Sequence, residues 1–531
     1  MHWLFALLLA GAAPFPVPPS RVSDTTRTQD GVLLRVLAIN DLHGALEPQT
    51  WPWSGGRAVG GAPALKAWFD TLSRACHCTT VRLDGGDEMQ GTLLSNVGYG
   101  RAAVAALNAF GIDAAAIGNH EFDWSVDTLR ARMAEAHYRF LAANITDTTG
   151  RARPDWAEPW TLLERGGQKI AVIGLALRAT PTNTAPRNVT GLAFGDGAAA
   201  VKRVLPQARA AASFVIVVAH EGAFCDAGGD AAARPLAATA CHGEILDVAR
   251  RLDSGSVDLI VSGHTHSLVN TVVNGIPVVQ ARSSGAGIAV VDFVRGPGGR
   301  REVLARVETP YTDRVSPDPE LRNLMALFKV GIENLTSRAI TRIKVDLRRG
   351  GDEYGLGRLI ADAMRNVAKA DVAIVNNGGI RADLAAGTAT YGDLYRVMPF
   401  QNRMLRLTVK GDVLRRALEH AVAGERPDGH VSGIELWYDP KQRPGRRIGK
   451  ATLADGKGIE GGRSYTLAVS DFLATGGSGY TMLVGSPAAD LGVIDLDAFI
   501  QYLSVLRQPI AAPDDARLHK KGRGGGADDG G

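Results

Sequence analysis

The chain has 531 residues, of which 45% are apolar and 21% are charged, and its 59 basic and 55 acidic residues give a formal net charge of +4. This composition allows sizeable buried cores and excludes a globally disordered chain. Because basic and acidic residues are interspersed, the charge does not indicate a nucleic-acid-binding surface, and we expect no nucleic-acid partner. At roughly 150 residues per domain, the length allows two large domains or three to four smaller ones.

The N-terminal segment 1–19 has the pattern of a secretory signal peptide. Apolar residues at 3–10 precede small residues and a proline-rich stretch, and the apolar run is too short to span a bilayer. A mis-assigned start codon and a membrane-tethered N-terminus are the alternatives. No later stretch approaches the ~18 apolar residues of a spanning helix, so we expect an exported protein (periplasm, cell envelope or extracellular) without stable membrane insertion.

The four cysteines form two sequence pairs, and an even number in an exported chain favours disulfides. Cys225 and Cys241 flank a Gly/Ala-rich insertion and are the stronger candidates for a bond. Cys76 and Cys78 enclose His77, so this segment could instead be a metal or redox site. Two thiolates and one imidazole without a fourth ligand nearby make the metal alternative weaker.

Short β-branched runs alternate with helix-like segments over about residues 32–295, which predicts a layered α/β domain. The predicted strands are 32–39, 80–83, 114–117, 169–175, 214–218, 257–261 and 288–293, and the predicted helices include 101–110, 125–136, 319–334, 356–368 and 412–423. Proline-rich residues 310–319 separate two α/β blocks. The predicted organisation is a signal peptide at 1–19, a first domain at 30–309, a helical linker at 310–336, a second α/β domain at 337–511 and a disordered Gly-rich tail at 512–531.

Polar clusters follow five of the predicted strands at the point where each strand ends. They are NDLHG with Asp41 and His43, DGGDEMQG with Asp84 and Asp87, GNHEFD with Asn119, His120, Glu121 and Asp123, AHEG with His220, and SGHTH with His264 and His266. Ligands gather beyond the carboxyl ends of strands in α/β sheets, so the five clusters can converge on one site. Each motif alone is more often a turn or an ordinary polar side chain, but the ordered set of five is a strong signal.

The residue types in these clusters predict a metal centre. Oxygen and imidazole ligands without a thiolate suit Zn²⁺, Mn²⁺, Co²⁺ or Fe²⁺. The set is large enough for two ions that share a carboxylate, the arrangement that clamps the attacking and leaving oxygens in phosphoryl transfer. A hydroxide held between two such ions forms near neutral pH and can attack phosphorus. We therefore predict a dinuclear phosphohydrolase.

The motif series resembles the calcineurin-like metallophosphoesterases, specifically the 5′-nucleotidase family. The second block adds NNGGIRADL at 376–384, YGDLYRVMPFQN at 391–402 and SDFLATGGSGY at 470–480. The resemblance implies an α/β-sandwich metallophosphoesterase domain, a second α/β domain that binds substrate, and a hinge at the linker. It implies one metal ion held by Asp41, His43, Asp87 and His266, a second held by Asp87, Asn119, His220 and His264, and a catalytic dyad of His120 and Asp123. Asp84 is interpreted as structural, and Glu121 as a support of the ligands.

The resemblance also implies that the substrate is a 5′-nucleotide. Phe400 and Phe472 would stack on the base, at ~1–3 kcal/mol for each aromatic face. Asn376 and Arg381 would contact the substrate, and Arg349 (or its neighbour Arg348) would add positive charge. Ser478 stands where many relatives have an aspartate for the ribose hydroxyls.

This substitution leaves the substrate open. Broader substrates or a sugar-phosphate ester are alternatives, as are the reactions of a 2′,3′-cyclic-nucleotide phosphodiesterase and a UDP-sugar pyrophosphatase with the same metal site. The stacking pair and NNGGIR disfavour a thiosulfate-pathway hydrolase. A non-catalytic nucleotide-binding protein is disfavoured, because all metal and dyad positions carry a suitable side chain. The sequence predicts a monomer or a dimer and does not specify the metal.

Overall fold

The structure is a computed structural model that describes residues 31–226, 232–296 and 301–521. The expected signal peptide at 1–19 and residues 522–531 of the expected tail lie outside the described residues. Among the described residues, no helix has the length and apolar character needed to cross a membrane.

In the described part of the chain, two six-stranded sheets form the first domain. The strand order in the first sheet is Arg301–Glu308, Ile288–Arg295, Val32–Ile39, Thr80–Asp84, Ala114–Ala116 and Arg139–Leu141. The order in the second sheet is Leu268–Val273, Ile276–Ala281, Leu259–Ser262, Phe214–Ala219, Gln168–Leu175 and Trp160–Arg165. Aliphatic residues from both sheets, including Leu34, Ile170 and Ile216, share one buried cluster. The domain is therefore an α/β sandwich with two sheets at its centre, which confirms the predicted fold class.

Helices and short ribbons surround this sandwich. The helices that cover the first sheet are Ala62–Cys76, Arg101–Phe110, Val126–Glu135 and Pro319–Lys329. The helices that cover the second sheet are Gly197–Ala211 and Glu244–Arg251. Single-turn helices at Leu93–Asn96 and Thr180–Asn183 lie in loops that face the second domain. Short ribbons of the first domain pair Gln49–Thr50 with Ala58–Val59, Ile145–Asp147 with Leu192–Phe194, and Phe224–Cys225 with Cys241–His242. A further ribbon, Ala339–Ile343 with Gly387–Thr390, packs in the second domain.

The second domain is built on a five-stranded sheet within residues 301–521. Its strand order is Gly429–Ser432, Val372–Asn376, Ser464–Ser470, Arg403–Lys410 and Ala488–Ile494. The helices Gly355–Ala368, Tyr391–Val397 and Asp495–Val505 pack on one face of this sheet. The other face packs against Gly411–Ala421, Asp471–Ala474 and a three-stranded sheet of Ile448–Leu453, Ile434–Tyr438 and Leu518–Lys520.

The predicted strands, and the predicted helices apart from the linker helix, agree with the structure to within two residues at each end. The helix predicted at 319–334 instead ends at Lys329, and a separate turn, Glu333–Thr336, follows it. Gly331 lies between the two with φ of +91°, a left-handed conformation that an α-helix does not contain. Leu321 and Met325 are buried in the core of the first domain, so the linker helix packs as part of that domain.

The expectation of a disordered tail from residue 512 is wrong for the segment up to residue 521. Leu518–Lys520 pairs in parallel with Ile434–Tyr438. Arg517 donates to both carboxylate oxygens of Asp362, at 2.7 and 2.9 Å, and to Asp515 at 2.8 Å. These ion pairs hold the strand in place, whereas the glycine-rich composition that motivated the expectation begins only after it.

Both cysteine pairs form disulfide bonds. The predicted Cys225–Cys241 bond joins the two strands of a short ribbon. Cys76 and Cys78 are also bonded to each other, at the end of the helix Ala62–Cys76. The structure therefore supports disulfides at both pairs and gives no support to a metal site at Cys76 and Cys78.

Candidate metal centre

The predicted metal ligands lie just beyond the carboxyl ends of parallel strands. Val32–Ile39, Thr80–Asp84 and Ala114–Ala116 run parallel in the first sheet, and Phe214–Ala219 and Leu259–Ser262 run parallel in the second. The loops after these strands carry Asp41, His43, Asp87, Asn119, His220, His264 and His266. Since the two sheets are stacked, these loops meet at one edge of the sandwich.

Most of these residues have an unusual backbone conformation. Asp41, His43, Asp87, His264 and His266 have φ values between 50° and 74°. This is the left-handed region, which residues other than glycine rarely adopt. Such strain costs roughly 1–3 kcal/mol per residue and concentrates at functional sites. The strained backbone at the predicted ligands therefore indicates a functional site at this edge, and the strain lowers the stability of the fold.

Asp41, His43 and His266 form one potential metal-binding group. Nε2 of His43 lies 2.9 Å from Nε2 of His266, which in turn lies 3.3 Å from Oδ1 of Asp41. Nδ1 of His43 lies 2.8 Å from the carbonyl oxygen of Gln90. A proton on Nδ1 donates to this carbonyl and leaves the lone pair of Nε2 free for a cation, the arrangement usual for histidine ligands.

Asp87, His220 and His264 form a second group. Nε2 of His220 lies 2.9 Å from Oδ2 of Asp87, and the same oxygen lies 3.8 Å from Nε2 of His43 in the first group. Nδ1 of His220 lies 2.8 Å from the carbonyl oxygen of Gly85, which orients the ring as Gln90 orients His43. Asp87 therefore lies between the two groups, where a shared carboxylate is needed.

Asn119 provides a test of whether these residues suit a cation. Its Oδ1 is buried and has no hydrogen-bond partner among the described residues, while its Nδ2 donates to the carbonyl oxygen of Asn183 at 3.2 Å. A buried acceptor without a partner is costly unless a cation or a water satisfies it. The carbonyl oxygen adds to the carboxylates and imidazoles nearby, a donor set that suits borderline divalent metals.

The electrostatics of four of the ligands suit a cation. At His220 burial lowers the pKa, but Asp87 and Asp41 outweigh it and raise the value to about 10, so a cation would have to displace a proton there. Burial lowers the pKa of His43 and of His264, so both rings are neutral, as metal ligands must be. Burial alone would raise the pKa of Asp41 and of Asp87, but neighbouring histidines outweigh it and lower both values. Both side chains therefore remain charged carboxylates inside the protein.

His120 and Asp123 form a hydrogen-bonded pair beside these groups. Nδ1 of His120 lies 2.7 Å from Oδ2 of Asp123, and the Thr184 hydroxyl donates to the other carboxylate oxygen at 2.9 Å. Burial opposes protonation of His120, but Asp123 and Asp87 outweigh it and raise its pKa. A raised pKa suits an imidazole that must donate a proton. Thr184 was missed by sequence reasoning, because a loop threonine carries no distinguishing pattern.

Glu121 is fully buried and supports the metal centre from behind. Its carboxylate accepts the backbone N–H groups of Asp87 and Glu88 at 2.9 Å, and that of Gly118 at 2.7 Å. One side chain thus ties the loop of Asp87 to the loop of Asn119. This geometry agrees with its interpretation as a support of the ligands.

Two of the predicted substrate residues reach the metal centre from the second domain. Nη2 of Arg381 lies 3.2 Å from Nε2 of His43. The ring of Phe400 stacks on His120, with centroids 5.4 Å apart and planes 24° apart, and the guanidinium of Arg381 lies 5.6 Å from the Phe400 ring. The metal centre is therefore completed by groups from both domains.

The remaining predicted substrate residues are engaged within the second domain. Asn376 donates to the hydroxyl of Ser478 at 3.0 Å. The ring of Phe472 packs against Gly477, and Arg349 donates to Asp383 at 3.1 Å. Among the described residues the ring contact of Phe400 is with His120, and the stacking of Phe400 and Phe472 on a base stays a prediction.

The fold and the clustered ligands define a metallophosphoesterase. The family model described as calcineurin-like phosphoesterase matches residues 34–268. The model described as 5′-nucleotidase, C-terminal domain, matches residues 336–485. Together the two models cover well over half of the chain, and the chain belongs to the 5′-nucleotidase family.

Individual relatives agree with this assignment. Endonuclease YhcR of Bacillus subtilis (strain 168) is 29% identical across 93% of this chain, which spans only 41% of that longer protein. A snake venom 5′-nucleotidase from Naja atra is 28% identical across 88% of this chain and 95% of its own length. The crystal structure of a 5′-nucleotidase precursor from Thermus thermophilus matches with a TM-score of 0.81 and 26% identity, and covers 92% of this chain and 100% of that one.

Proposed function

We propose that this protein is a metal-dependent phosphohydrolase that removes the 5′-phosphate of nucleotides. The observation that carries the proposal is the meeting of two carboxylate–imidazole groups with a buried His–Asp pair and an arginine from the second domain. Phosphate ester hydrolysis needs such cationic surroundings and a proton donor at the leaving oxygen. The similarity to 5′-nucleotidases favours this reaction over a cyclic-nucleotide phosphodiesterase or a UDP-sugar pyrophosphatase.

Two divalent cations are the proposed cofactors, with Zn, Mn, Co or Fe as candidates. One would be held by Asp41, His43, Asp87 and His266, and the other by Asp87, Asn119, His220 and His264. When bound, the cations would lower the pKa of a water molecule and neutralise the phosphoryl oxygens.

The residues of the chain itself have distinct proposed roles. His120, held by Asp123, donates a proton to the departing 5′-oxygen. Arg381 binds the phosphate, because it is a half-buried guanidinium beside His43 without a carboxylate partner among the described residues. Arg349 adds positive charge at the rim of the site.

The second domain is proposed to bind the nucleoside. Asn376, Phe400, Phe472 and Ser478 are its proposed contacts, with Ser478 as an uncharged partner for a ribose hydroxyl. We also propose a first domain at 30–309, a linker at 310–336 and a second domain that begins at 337 and includes the strand Leu518–Lys520. Export to the periplasm, cell envelope or exterior after a signal peptide at 1–19, and a monomeric or dimeric state, are further proposals. The disulfides support export, because such bonds persist in oxidising compartments.

The test is phosphate release by protein that has been stripped of metal and reloaded with Mn²⁺, Zn²⁺ or Co²⁺. The substrates are AMP, UDP-glucose, 2′,3′-cyclic AMP, glucose 6-phosphate and a bis-aryl phosphate, and His120→Ala is the control. We expect metal-dependent release from AMP that the variant loses. Cleavage of only the diesters or of UDP-glucose would overturn the proposed substrate, and no turnover with metal bound would overturn the proposed activity.

A further inference from the structure

Residues 179–189 form a loop of the first domain, the boundary loop, that contacts the second domain. The loop contains the single-turn helix Thr180–Asn183 and the turn Pro186–Val189. Its helical turn is closed by Thr184, whose backbone N–H donates to the carbonyl oxygen of Thr180 at 3.0 Å. The side chains of Thr180 and Thr184 are buried, so this part of the loop packs into the protein.

On the side of the first domain, the boundary loop contacts two residues of the proposed site. The hydroxyl of Thr184 donates to Oδ1 of Asp123 at 2.9 Å, and Oδ2 of the same carboxylate lies 2.7 Å from Nδ1 of His120. The carbonyl oxygen of Asn183 accepts a hydrogen bond from Nδ2 of Asn119 at 3.2 Å. Both carboxylate oxygens of Asp123 are therefore engaged, and the carboxylate cannot rotate without breaking a hydrogen bond.

A second side chain ties the boundary loop to the backbone of the proposed dyad. The amide of Asn188 donates to the carbonyl oxygens of Phe122 and Asp123, at 2.9 and 2.7 Å. Val189, the next residue, is buried in the core of the first domain. Because the loop is bonded to Asp123 through Thr184 and through Asn188, its position and that of the dyad depend on each other.

On the side of the second domain, the boundary loop meets residues proposed to bind the nucleoside. Thr180–Asn183 contacts the turn Gly477–Gly479, against which the ring of Phe472 packs. Nη1 of Arg187 lies 3.6 Å from Oδ2 of Asp471, the residue before Phe472. The turn also carries the serine proposed to bind a ribose hydroxyl. The loop therefore touches the proposed dyad on one side and the proposed nucleoside contacts on the other.

From these contacts we infer that Thr184 is a positioning residue for the proposed dyad of His120 and Asp123, and that the boundary loop links the dyad to the bound nucleoside. The inference rests on the proposed function. A base stacked on Phe472 immobilises that ring, the turn Gly477–Gly479 on which it packs, and the boundary loop that the turn contacts. Binding energy from the base then holds the reacting groups in place, which raises kcat and does not only lower KM.

The experiment compares three phosphate esters that differ in the base and in the leaving group: AMP, ribose 5-phosphate and p-nitrophenyl phosphate. AMP and ribose 5-phosphate release an alkoxide that needs a proton, whereas nitrophenolate is a stable anion that leaves without one. In the metal-loaded wild-type protein we expect the kcat for AMP to exceed that for ribose 5-phosphate by at least about 10-fold, because only AMP has a base that fixes the loop.

Thr184→Val removes the hydroxyl and keeps the shape of the side chain. The kcat for AMP should fall by about 10- to 100-fold, towards that for ribose 5-phosphate, as is usual when the support of a functional residue is removed. The KM for AMP, the kcat for p-nitrophenyl phosphate and the bound metal should change less than about threefold, because none depends on a proton for the leaving oxygen. Thr184→Ser should restore activity.

The matched control is Thr190→Val. Thr190 is exposed, lies just beyond the boundary loop, and donates its hydroxyl to the carbonyl oxygen of Arg187 at 3.1 Å. It should leave all three substrates unaffected. Thermal unfolding of each variant establishes that it is folded, and Thr184→Ala, which also lacks the hydroxyl, replaces the valine variant if that one does not fold.

The outcomes separate this inference from the proposed function. An unchanged kcat for AMP in Thr184→Val, or an equal fall for AMP and p-nitrophenyl phosphate, overturns the positioning role while AMP hydrolysis stands. An equal fall for AMP and ribose 5-phosphate, or equal kcat values for them in the wild-type protein, overturns the link to the nucleoside.

A wild-type protein that hydrolyses other esters but not AMP has a different substrate from the one proposed. Glucose 6-phosphate then replaces AMP in the comparison with p-nitrophenyl phosphate. A fall in Thr184→Val that is confined to the sugar ester upholds the positioning role without the proposed substrate, and an equal fall or none overturns it. No turnover of any ester with metal bound overturns both the inference and the proposed function.

Discussion

The metal centre and the substrate residues of the second domain differ in how closely the structure gathers them. The predicted ligands lie in loops after five parallel strands of the sandwich, and their ligand atoms lie within a few ångströms of one another. In the second domain, Arg381 and Phe400 reach the metal centre. Asn376 instead donates to Ser478, and Phe472 packs against Gly477, both within the second domain.

This difference has a physical cause. A side chain just after a parallel strand is positioned by the ladder of the sheet, and neighbouring strand ends of one sheet must be adjacent. A side chain that must meet its target across a domain boundary depends also on the relative orientation of two domains. Among the described residues, the polar contacts across the interface include Asn96 to Tyr395 at 3.0 Å and the exposed ion pair of Arg187 and Asp471 at 3.6 Å, which are contacts of modest strength. The positions of the metal ligands therefore follow from the strand order of the sheets, whereas the positions of the substrate residues relative to the metal centre do not.

The largest effect is expected from Asp87→Asn. Asp87 lies between both ligand groups, so loss of its charge removes the shared carboxylate. We expect activity to fall by at least about 10³-fold and bound metal to fall below one ion per chain. Phosphate release and elemental analysis of the same dialysed sample measure the two effects.

Asp84→Asn is the matched control for this prediction. Asp84 is also buried, and burial, with the nearby charges of Glu121 and Asp41, raises its pKa well above the ordinary value. A neutral carboxyl group tolerates replacement by an amide of the same shape, so metal content and activity should change less than about threefold. Equal losses in both variants would mean that the loop as a whole, and not the bridging position, supports the site.

His120→Ala should separate chemistry from metal binding. The imidazole is held by Asp123 and stacks on Phe400, while no predicted metal-ligand atom belongs to it. We expect kcat to fall by about 10²- to 10⁴-fold, the usual contribution of a general acid, with metal content unchanged. Loss of metal in this variant would show that the imidazole itself helps to hold the cations, because alanine keeps the backbone N–H that donates to Asp87 at 2.9 Å.

The sequence likewise predicts the elements that local patterns define and misses those that depend on contacts between distant parts of the chain. The strand 32–39 and the helix 101–110 were predicted to the residue, because apolar periodicity and a glycine at each end of the helix mark them clearly. The strand Leu518–Lys520 was missed, because its partner lies about 80 residues away and its ion pairs with Asp362 appear only in three dimensions.

Glu121→Gln tests how far the support behind the ligands matters. An amide keeps the size of the side chain, but it replaces one of the two acceptor oxygens that receive the N–H groups of Asp87, Glu88 and Gly118. We expect metal affinity to fall by about 10- to 100-fold, as is usual when the support of a ligand is removed. Competition with a chelator of known affinity measures it, and activity at saturating metal should largely recover. No recovery at saturating metal would assign Glu121 a role in the reaction itself.

The smallest expected effect is a loss of stability of the second domain as the pH falls. Burial, with the charges of Arg358 and Arg517, lowers the pKa of His430 to about 3 from its ordinary 6.5. The folded domain therefore favours the neutral ring, so stability is fully present above pH 6.5 and is lost progressively as pH falls towards 3.

Between pH 7.5 and pH 5.0 this linkage should cost the domain about 2 kcal/mol. His430→Gln removes the titration, so the variant should lose correspondingly less stability over the same interval. Hydrogen exchange of the strand Gly429–Ser432 reports on this domain, and His519→Gln, at the surface beside Glu435, is the control. The same pH dependence in the wild-type protein and in His430→Gln would mean that other groups dominate. A smaller dependence in the variant would show that the second domain loses stability on acidification through a group remote from the metal centre, independently of the histidines proposed as metal ligands.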